Sequence, residues 1–370
     1  MKHTDRIELC DQIKKRIQKT GAISFHDYME ECLYNAQLGY YTSGNNPIGR
    51  NGDFYTSPTL TPAFGATIAK QLEEMWHYLG KTAFMVVEYG AGTGALCKSI
   101  LGALKSNRPM YDDLRYYIIE KSSLMRQLEK EHLTEKVIWC DSVDQIPEIN
   151  GCILSNELVD NFAVQRVVMK EELKEVFVGY EDGFTEELRT ANAALKNYFS
   201  ELDVDLPYNY HTEVNLESLT WISEIAATLN RGYLMTIDYG FSNLYQFYRR
   251  YGTLMCYHKH RVNDCPYHHI GQQDITSHVN FSALSHWGAK AGLKTCGLTN
   301  QCQFLMSLGL RAQLIDTSSP EEDVISAVQK INRISRILLM EMGDKYKVLI
   351  QEKGMNGEKL SGLSVVLPGA

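Results

Sequence analysis

The sequence predicts an α/β fold: a doubly wound, Rossmann-like sheet preceded by an N-terminal helical cap and interrupted by inserted hairpin and loop segments. Three observations carry this. Phe84-Met-Val-Val-Glu-Tyr89 is an apolar run that enters a turn with glycines at 90, 92 and 94. Ala95 to Leu104 then has helical spacing, which makes the first βα unit of a nucleotide-binding sheet. Three successive predicted strands each end in an acid, at Glu88, Glu120 and Asp141. In an open sheet of this kind, ligands bind outside the carboxyl ends of the strands.

Taken in order, residues 5 to 80 are mostly helical. Ile7, Cys10, Ile13 and Ile17 form one stripe, and Ser24 caps a second helix carrying Tyr28, Met29, Cys32 and Leu33. A Gly-, Asn- and aromatic-rich loop spans 38 to 58, longer than the ~12 residues beyond which a loop is usually functional or disordered; its aromatics favour function. A third helix has Pro62 in its first turn, Phe64, Ile68, Leu72 and Trp76 on one face, and Gly80 at its end. After strand 84–88 come strands at 116–120, 137–141 and 152–157. Residues 164 to 189 alternate as an antiparallel hairpin about the turn 181–183, and a helix near 216–230 precedes a fifth strand at 233–238. A His-rich insertion covers 241 to 280, helices follow at about 281–292 and 320–343, and a late strand begins at Tyr346. The predicted division is therefore a cap with a substrate loop over 1–80, and a nucleotide-binding domain over 81–370 with insertions at about 164–190 and 241–280.

Composition bounds the function. With 37 basic and 45 acidic residues the net charge is -8, which gives no global attraction to nucleic acid or anionic membrane. Nine cysteines without a C-x-x-C pair read as reduced, mostly buried thiols. No segment approaches the ~18 consecutive apolar residues of a membrane span, and the first residues lack a signal-peptide core. A cytoplasmic location is expected; the oligomeric state stays open. No Ser-His-Asp order and no Walker loop favour a hydrolase or an NTPase.

Gly90, Gly92 and Ala95 also fit the dinucleotide spacing G-x-G-x-x-A, so the glycines alone leave NAD and S-adenosylmethionine (SAM) both open. The acids separate them. Glu88 stands two residues before the first glycine, where it would repel a pyrophosphate but can meet the cationic end of SAM or order the loop. Glu120 can accept from both ribose hydroxyls, and Asp141 can meet the adenine amino group. Any one of these acids is more simply a helix cap or an exposed strand end; the three together point to SAM. Glu88, Gly90, Gly92, Gly94, Glu120, Asp141, Ser142 and Asn156 make up the expected cofactor site.

Ser155-Asn-Glu-Leu-Val-Asp160 follows the fourth strand, where an acceptor would sit. If that acceptor is a guanidinium, always charged because its pKa is above ~12, carboxylates must grip it. Glu157 is the expected orienting acid, with Asp160 or Asp238; a turn that caps the next helix explains the hexapeptide equally well by itself. His258, His260, His268, His269 and His278, with Cys256 and Cys265, match no familiar zinc spacing and read as polar surface. The basic and aromatic stretch Tyr248 to Arg261 could face RNA, but a solvated face or channel wall is the simpler reading in an acidic chain.

Ser24 to Tyr41, Gly52-Asp-Phe-Tyr-Thr-Ser-Pro58, Glu88 to Gly94, Ser155 to Asp160, Ile237-Asp-Tyr-Gly240, Gly252-Thr-Leu254 and Asp274 to Phe281 together resemble the MidA family of SAM-dependent methyltransferases. The similarity runs from about residue 20 to 350. It implies a class I methyltransferase domain in which the glycine loop, Glu120 and Asp141 hold SAM. Its mitochondrial members act as protein arginine methyltransferases in respiratory complex I assembly. It further implies that Tyr41, Asp53, Phe54, Tyr55, Asp274 and His278 shape the acceptor channel. Thr59 and Ala66 stand where the family commonly has acids. The expected activity is methyl transfer from SAM to a protein side chain, an arginine guanidinium being favoured. A SAM-binding assembly factor with little catalysis and an NAD(P) oxidoreductase are the alternatives.

Overall fold

The computed structural model describes residues 3–43, 48–49, 52–133, 135–242, 249–316 and 323–364, with side chains from residue 8 onward. Parts of the 38–58 loop and of the 241–280 insertion, together with Ile7's side chain and Tyr248, lie outside the described residues.

The chain forms two compact units, one of which, Tyr55–Leu158 with Ile222–Gly240 and Trp287–Ala370, contains the predicted sheet. Its strands are β1 (Phe84–Tyr89), β2 (Leu114–Ile119), β3 (Val137–Cys140), β4 (Ile149–Asn156), β5 (Leu229–Phe241), β6 (Lys294–Asn300) and β7 (Tyr346–Lys353). Their order is β6-β7-β5-β4-β1-β2-β3. The five strands from β3 to β5 are parallel, whereas β7 runs antiparallel to both β5 and β6. The order reverses beside β1, so the β1–β4 boundary is the switch point at which such sheets bind ligands.

Local sequence explains why these segments take these forms. β1 and β4 are apolar on both faces, as strands covered by helices must be: Phe84, Val86, Val87, Cys152, Ile153 and Leu154 are all essentially inaccessible. The helix Ala95–Leu104 buries Leu96, Cys97, Ile100, Leu101 and Leu104, a spacing of one, three and four residues, each large aliphatic contributing about 1.5–3 kcal/mol. The helix Pro62–Tyr78 starts with Thr61 accepting from Ala63 N, has Pro62 where no amide partner is needed, and packs on it. No described helix is long and apolar enough to cross a membrane.

The other unit comprises Met1–Phe54, Val159–Trp221 and Phe241–His286. This differs from the predicted division at residue 80 in two respects. The segment from Tyr55 through the helix Pro62–Tyr78 belongs with the sheet, and the two insertions join the N-terminal helices in one body. The insertion after β4 also extends well past the predicted hairpin, through the helix Ala193–Glu201 and the strand His211–Val214. The physical reason is non-local: Ile23 pairs with Val178 and Ser24 with Phe177, which seats the first helices on the strand Leu173–Tyr180. Phe25, Tyr28, Met29 and Leu33 then share a core with Val164, Val178 and Ile275. Helix Phe25–Tyr34 is capped by Ser24, whose hydroxyl accepts from Asp27 N at 3.1 Å, as its sequence predicts.

Candidate active site

The turn after β1 is built by backbone conformations that side chains disfavour. Gly90, Gly92 and Gly94 have φ of 64°, 57° and 73°. Gly90 N is held by Ile119 O at 2.9 Å, and Gly94 caps the helix that follows. A Cβ on Gly90 would stand 2.7 Å from Leu158 Cδ1, so the turn and the residue after the β4 turn approach closely.

The three strand-end acids are in three different electrostatic states. Glu88 is buried, and burial pushes its carboxyl up to about 7 against the pull of the Tyr116 hydroxyl, which donates to Oε2 at 2.5 Å. It is thus engaged inside the sheet beside β2, and of the two roles expected for it the geometry shows the ordering one. Glu120 is also buried and raised by burial, while the amides of Ser122 and Gly92 and the charge of Arg126 pull it back. Its Oε1 accepts from Ser122 N at 2.8 Å. Asp141 is exposed, and Arg126 binds it at 2.8 Å while donating to the carbonyls of Glu120 and Cys140. Arg126 therefore ties the ends of β2 and β3 together, a role that no local pattern announced. Ser142 precedes the short turn Val143–Gln145, in which Gln145 accepts from Asp141 N.

At the end of β4, Ser155 Oγ and Asn156 Oδ1 are buried without a hydrogen-bond partner among the described residues. Orphaned buried acceptors cost about 1–3 kcal/mol and call for a ligand or water. Together with a glycine turn that a Cβ would fill and a ribose-competent carboxylate at Glu120, they fit SAM. The embedded carboxyl of Glu88 does not suit a pyrophosphate.

Glu157 follows immediately and has φ of 52°, an unusual conformation for a residue with a side chain. Its Oε1 accepts from Ser57 N at 3.1 Å and from Asn156 Nδ2 at 3.2 Å, and its Oε2 accepts from Tyr346 OH at 3.0 Å. Burial raises the carboxyl to about 7 although all three donors lower it. Of about four lone-pair directions on a carboxylate, one on Oε2 is left for an acceptor. Ser57 and Tyr346 were missed in the sequence; Thr56-Ser-Pro58 carries a helix-start signal that could have found the first, while nothing local marks Tyr346.

Asp238 lies at the far end of β5, fully buried, with Oδ2 accepting from Leu158 N at 3.2 Å and Oδ1 from Tyr239 N at 2.8 Å. It holds the turn after Glu157. Asp160, buried, belongs to the other unit.

The channel residues inferred from resemblance also divide. In the other unit, Tyr41 OH lies 2.9 Å from both Asp274 Oδ1 and Asn161 Oδ1, and Asn161 Nδ2 donates to Asp160 at 3.0 Å. Tyr34 stacks on Tyr41, and Tyr40 OH donates to Asp53 at 2.8 Å. Phe54 joins the apolar core of that unit, and His278 N donates to Thr253 Oγ1. Tyr55 is exposed and belongs to the sheet unit. His258 stacks on His269 at 4.2 Å, and no group of three metal-ligating residues occurs among the described residues.

A seven-strand sheet of this order, with a glycine turn after β1 and an acid after β2, defines a class I SAM-dependent methyltransferase. Residues 67–299 match the family model Methyltransf_28, which describes S-adenosyl-L-methionine-dependent methyltransferases. The chain belongs to this family, and the likeness to MidA proteins seen in the sequence holds. A structure from Burkholderia thailandensis bound to S-adenosyl-homocysteine (SAH) is 30% identical, with a TM-score of 0.87 over 98% of this chain and 95% of that one. A Drosophila melanogaster protein named as a mitochondrial protein arginine methyltransferase NDUFAF7 homolog is 26% identical, covering 97% of this chain and 88% of its own. The Homo sapiens protein of that name is also 26% identical, over 81% and 73% respectively. The cofactor is therefore SAM, and the dinucleotide alternative falls.

Proposed function

We propose that this methyltransferase modifies a protein side chain, an arginine guanidinium being the favoured acceptor, with Glu157 as the residue that orients it. The observation that carries this reading is Glu157 itself: a carboxylate held rigidly at the end of β4 by Ser57, Asn156 and Tyr346. Relatives named as protein arginine methyltransferases support the acceptor class. SAM supplies an electrophilic methyl group on a sulfonium. The chain's own groups must bind it, align the nucleophile and exclude water. Glu120 would accept from the ribose hydroxyls, Asp141 from the adenine amino group, and Ser155 and Asn156 from polar groups of the methionine end. A guanidinium cannot lose its proton to a weak base beforehand, so a carboxylate gains rate by localising its charge away from the attacking nitrogen. Glu157 in its ionised form suits that task, and the left-handed backbone aims it.

The test is transfer of labelled methyl from SAM to proteins of a lysate, followed by hydrolysis and identification of the labelled amino acid. Label in methylarginine supports the reading; label in another residue, or in small molecules alone, overturns the acceptor.

One observation favours a second reading, a SAM-binding assembly factor with little catalysis. Thr59 is spent on structure: its Oγ1 donates to Thr56 O at 2.8 Å and accepts from Thr56 N at 3.2 Å, closing the first turn of the helix Ser57–Leu60. Ala66 is buried in the next helix. Normal SAH binding with no label in any protein would favour this alternative. A cytoplasmic location is proposed on the strength of nine free cysteines, and imaging of a tagged chain tests it.

A further inference from the structure

Beneath the glycine turn lies a carboxyl group that the functional reading has not used. Glu129, on the helix Ser123–His132, is fully buried. Its Oε2 accepts from Trp139 Nε1 at 2.7 Å, whereas Oε1 is enclosed with no donor among the described residues. A Cβ added at Gly94 would stand 3.7 Å from Glu129 Cα, which places this helix directly against the cofactor turn. The titratable groups facing it are mostly acids. Glu120 bears on it from the turn after β2, Glu88 from β1, and the Cys97 thiol from the following helix. Arg126, on its own helix, is the one opposing cation among these groups.

A buried acid facing two others, with one oxygen lacking a donor, is most stable when that oxygen carries a proton. A protonated Oε1 becomes a donor, and its neighbour Glu120 is an acceptor; a hydrogen bond from Glu129 lowers the Glu120 carboxyl. We propose that Glu129 is a positioning residue for the cofactor: its protonated carboxyl donates to Glu120 and fixes that carboxylate, ionised, as the acceptor of the ribose hydroxyls. The inference rests on the assignment of Glu120 to the ribose. Burial, with Glu120 next in size, pushes the Glu129 carboxyl up to about 8, so the proton is held at neutral pH and lost just above it. Ionised Glu129 would give Glu120 repulsion in place of a donor.

The experiment is calorimetric titration of the full chain with SAH from about pH 6.5 to 9.5, for wild type, Glu129→Gln and Glu120→Ala. The α-amino group of SAH titrates in the same range, so each affinity is read as a ratio to wild type at the same pH. Wild-type affinity is expected to fall at least tenfold more than that of Glu129→Gln between pH 7 and 9.5, because a glutamine amide is a permanent neutral donor. An equal fall in the two proteins overturns the inference. Glu120→Ala separates the premises. Intact SAH affinity in that variant removes the ribose assignment and the inference with it, whereas lost affinity beside an unaltered Glu129→Gln profile overturns the inference alone. Should Glu129→Gln not fold, Trp139→Phe carries the test. Loss of the indole donor raises the Glu129 carboxyl further, so the fall moves to higher pH, and a fall that stays in place overturns the inference.

Discussion

The backbone amide of Ser57 donates to Glu157 Oε1 at 3.1 Å, joining the first turn of a four-residue helix to the end of β4 a hundred positions later. Tyr346, at the start of β7, holds the other oxygen from a third part of the chain. Three distant segments therefore converge on one carboxylate whose backbone sits at φ 52°. Such a conformation costs about 1–3 kcal/mol and persists only where the surroundings over-determine it. Here Glu157 N also donates to Ile237 O at 2.9 Å, and Asp238 anchors the next residue. The strain is compensated by bonds that aim the acid.

Glu157→Gln follows from this geometry. The amide keeps the shape: its oxygen can still accept from Ser57 and Asn156 while its nitrogen donates to the Tyr346 hydroxyl, but it cannot carry the charge that a guanidinium needs. Methyl transfer should drop by about 100-fold or more while SAH affinity stays within a few-fold. Loss of SAH binding in calorimetry would instead assign Glu157 to the cofactor.

The same acid sets a pH profile. With its carboxyl raised to about 7, Glu157 is largely protonated below that value and ionised above it. If the ionised form grips the acceptor, kcat/KM rises with pH through about 7 and then levels. Tyr346→Phe removes one of the donors that favour the ionised form, so the midpoint should move upward, with kcat/KM lowered at pH 7. A rate profile flat from pH 6 to 8 in wild type would exclude Glu157 as the titrating group.

Buried acids also give the folded state a pH dependence. Glu88, Glu157 and Glu129 are raised to about 7, about 7 and about 8, chiefly by burial, from an ordinary 4.5. The native chain then holds protons that the unfolded chain has released, so each contribution is fully present below pH 4.5 and is lost as pH rises toward the folded value. Urea midpoints of the ligand-free protein should therefore fall between about pH 5 and 8. Glu88→Gln should flatten that slope, Glu88 alone accounting for roughly 3 kcal/mol across the window at 1.36 kcal/mol per unit. An unchanged slope in the variant would mean that Glu88 ionises freely in the folded protein.

Much of the sheet was legible because buried parallel strands are apolar throughout and end in acids at the rim; β1 to β5 and β7 all lie where their sequences predict them. β6 was not. Lys294-Thr-Cys-Gly-Leu-Thr-Asn300 is an edge strand with a register shift between Thr295 and Gly297, so it neither alternates nor forms an apolar run. The convergence on Glu157 was legible only in its central residue, since Tyr346 lies 189 positions away and its hydroxyl sits on an otherwise ordinary strand. Glu129 reads as one more surface acid in Arg126-Gln-Leu-Glu-Lys-Glu131, and only the indole of Trp139, packed from β3, reveals that it is buried. Grouping both insertions with the N-terminal helices depends on strand pairs such as Ile23 with Val178, which no local period encodes.

Two glycines of the sheet unit should fail in opposite ways when replaced by alanine. At Gly90 the new Cβ would meet Leu158 Cδ1 at 2.7 Å, the far end of a flexible side chain that can rotate away, and φ of 64° adds about 1–2 kcal/mol. The fold should survive with a melting temperature lowered by several degrees, while the turn that receives SAM is displaced and SAH affinity falls by tenfold or more. At Gly151 the Cβ would stand 1.9 Å from Met85 O, a backbone atom fixed by the pairing of β4 with β1. Nothing there can rotate, so those central strands must separate, and Gly151→Ala should yield little folded protein. Thermal melts and SAH titration of both variants make the comparison. Normal SAH binding by a destabilised Gly90→Ala would show that the turn tolerates displacement, and would move the cofactor contacts onto Glu120, Asp141 and Asn156.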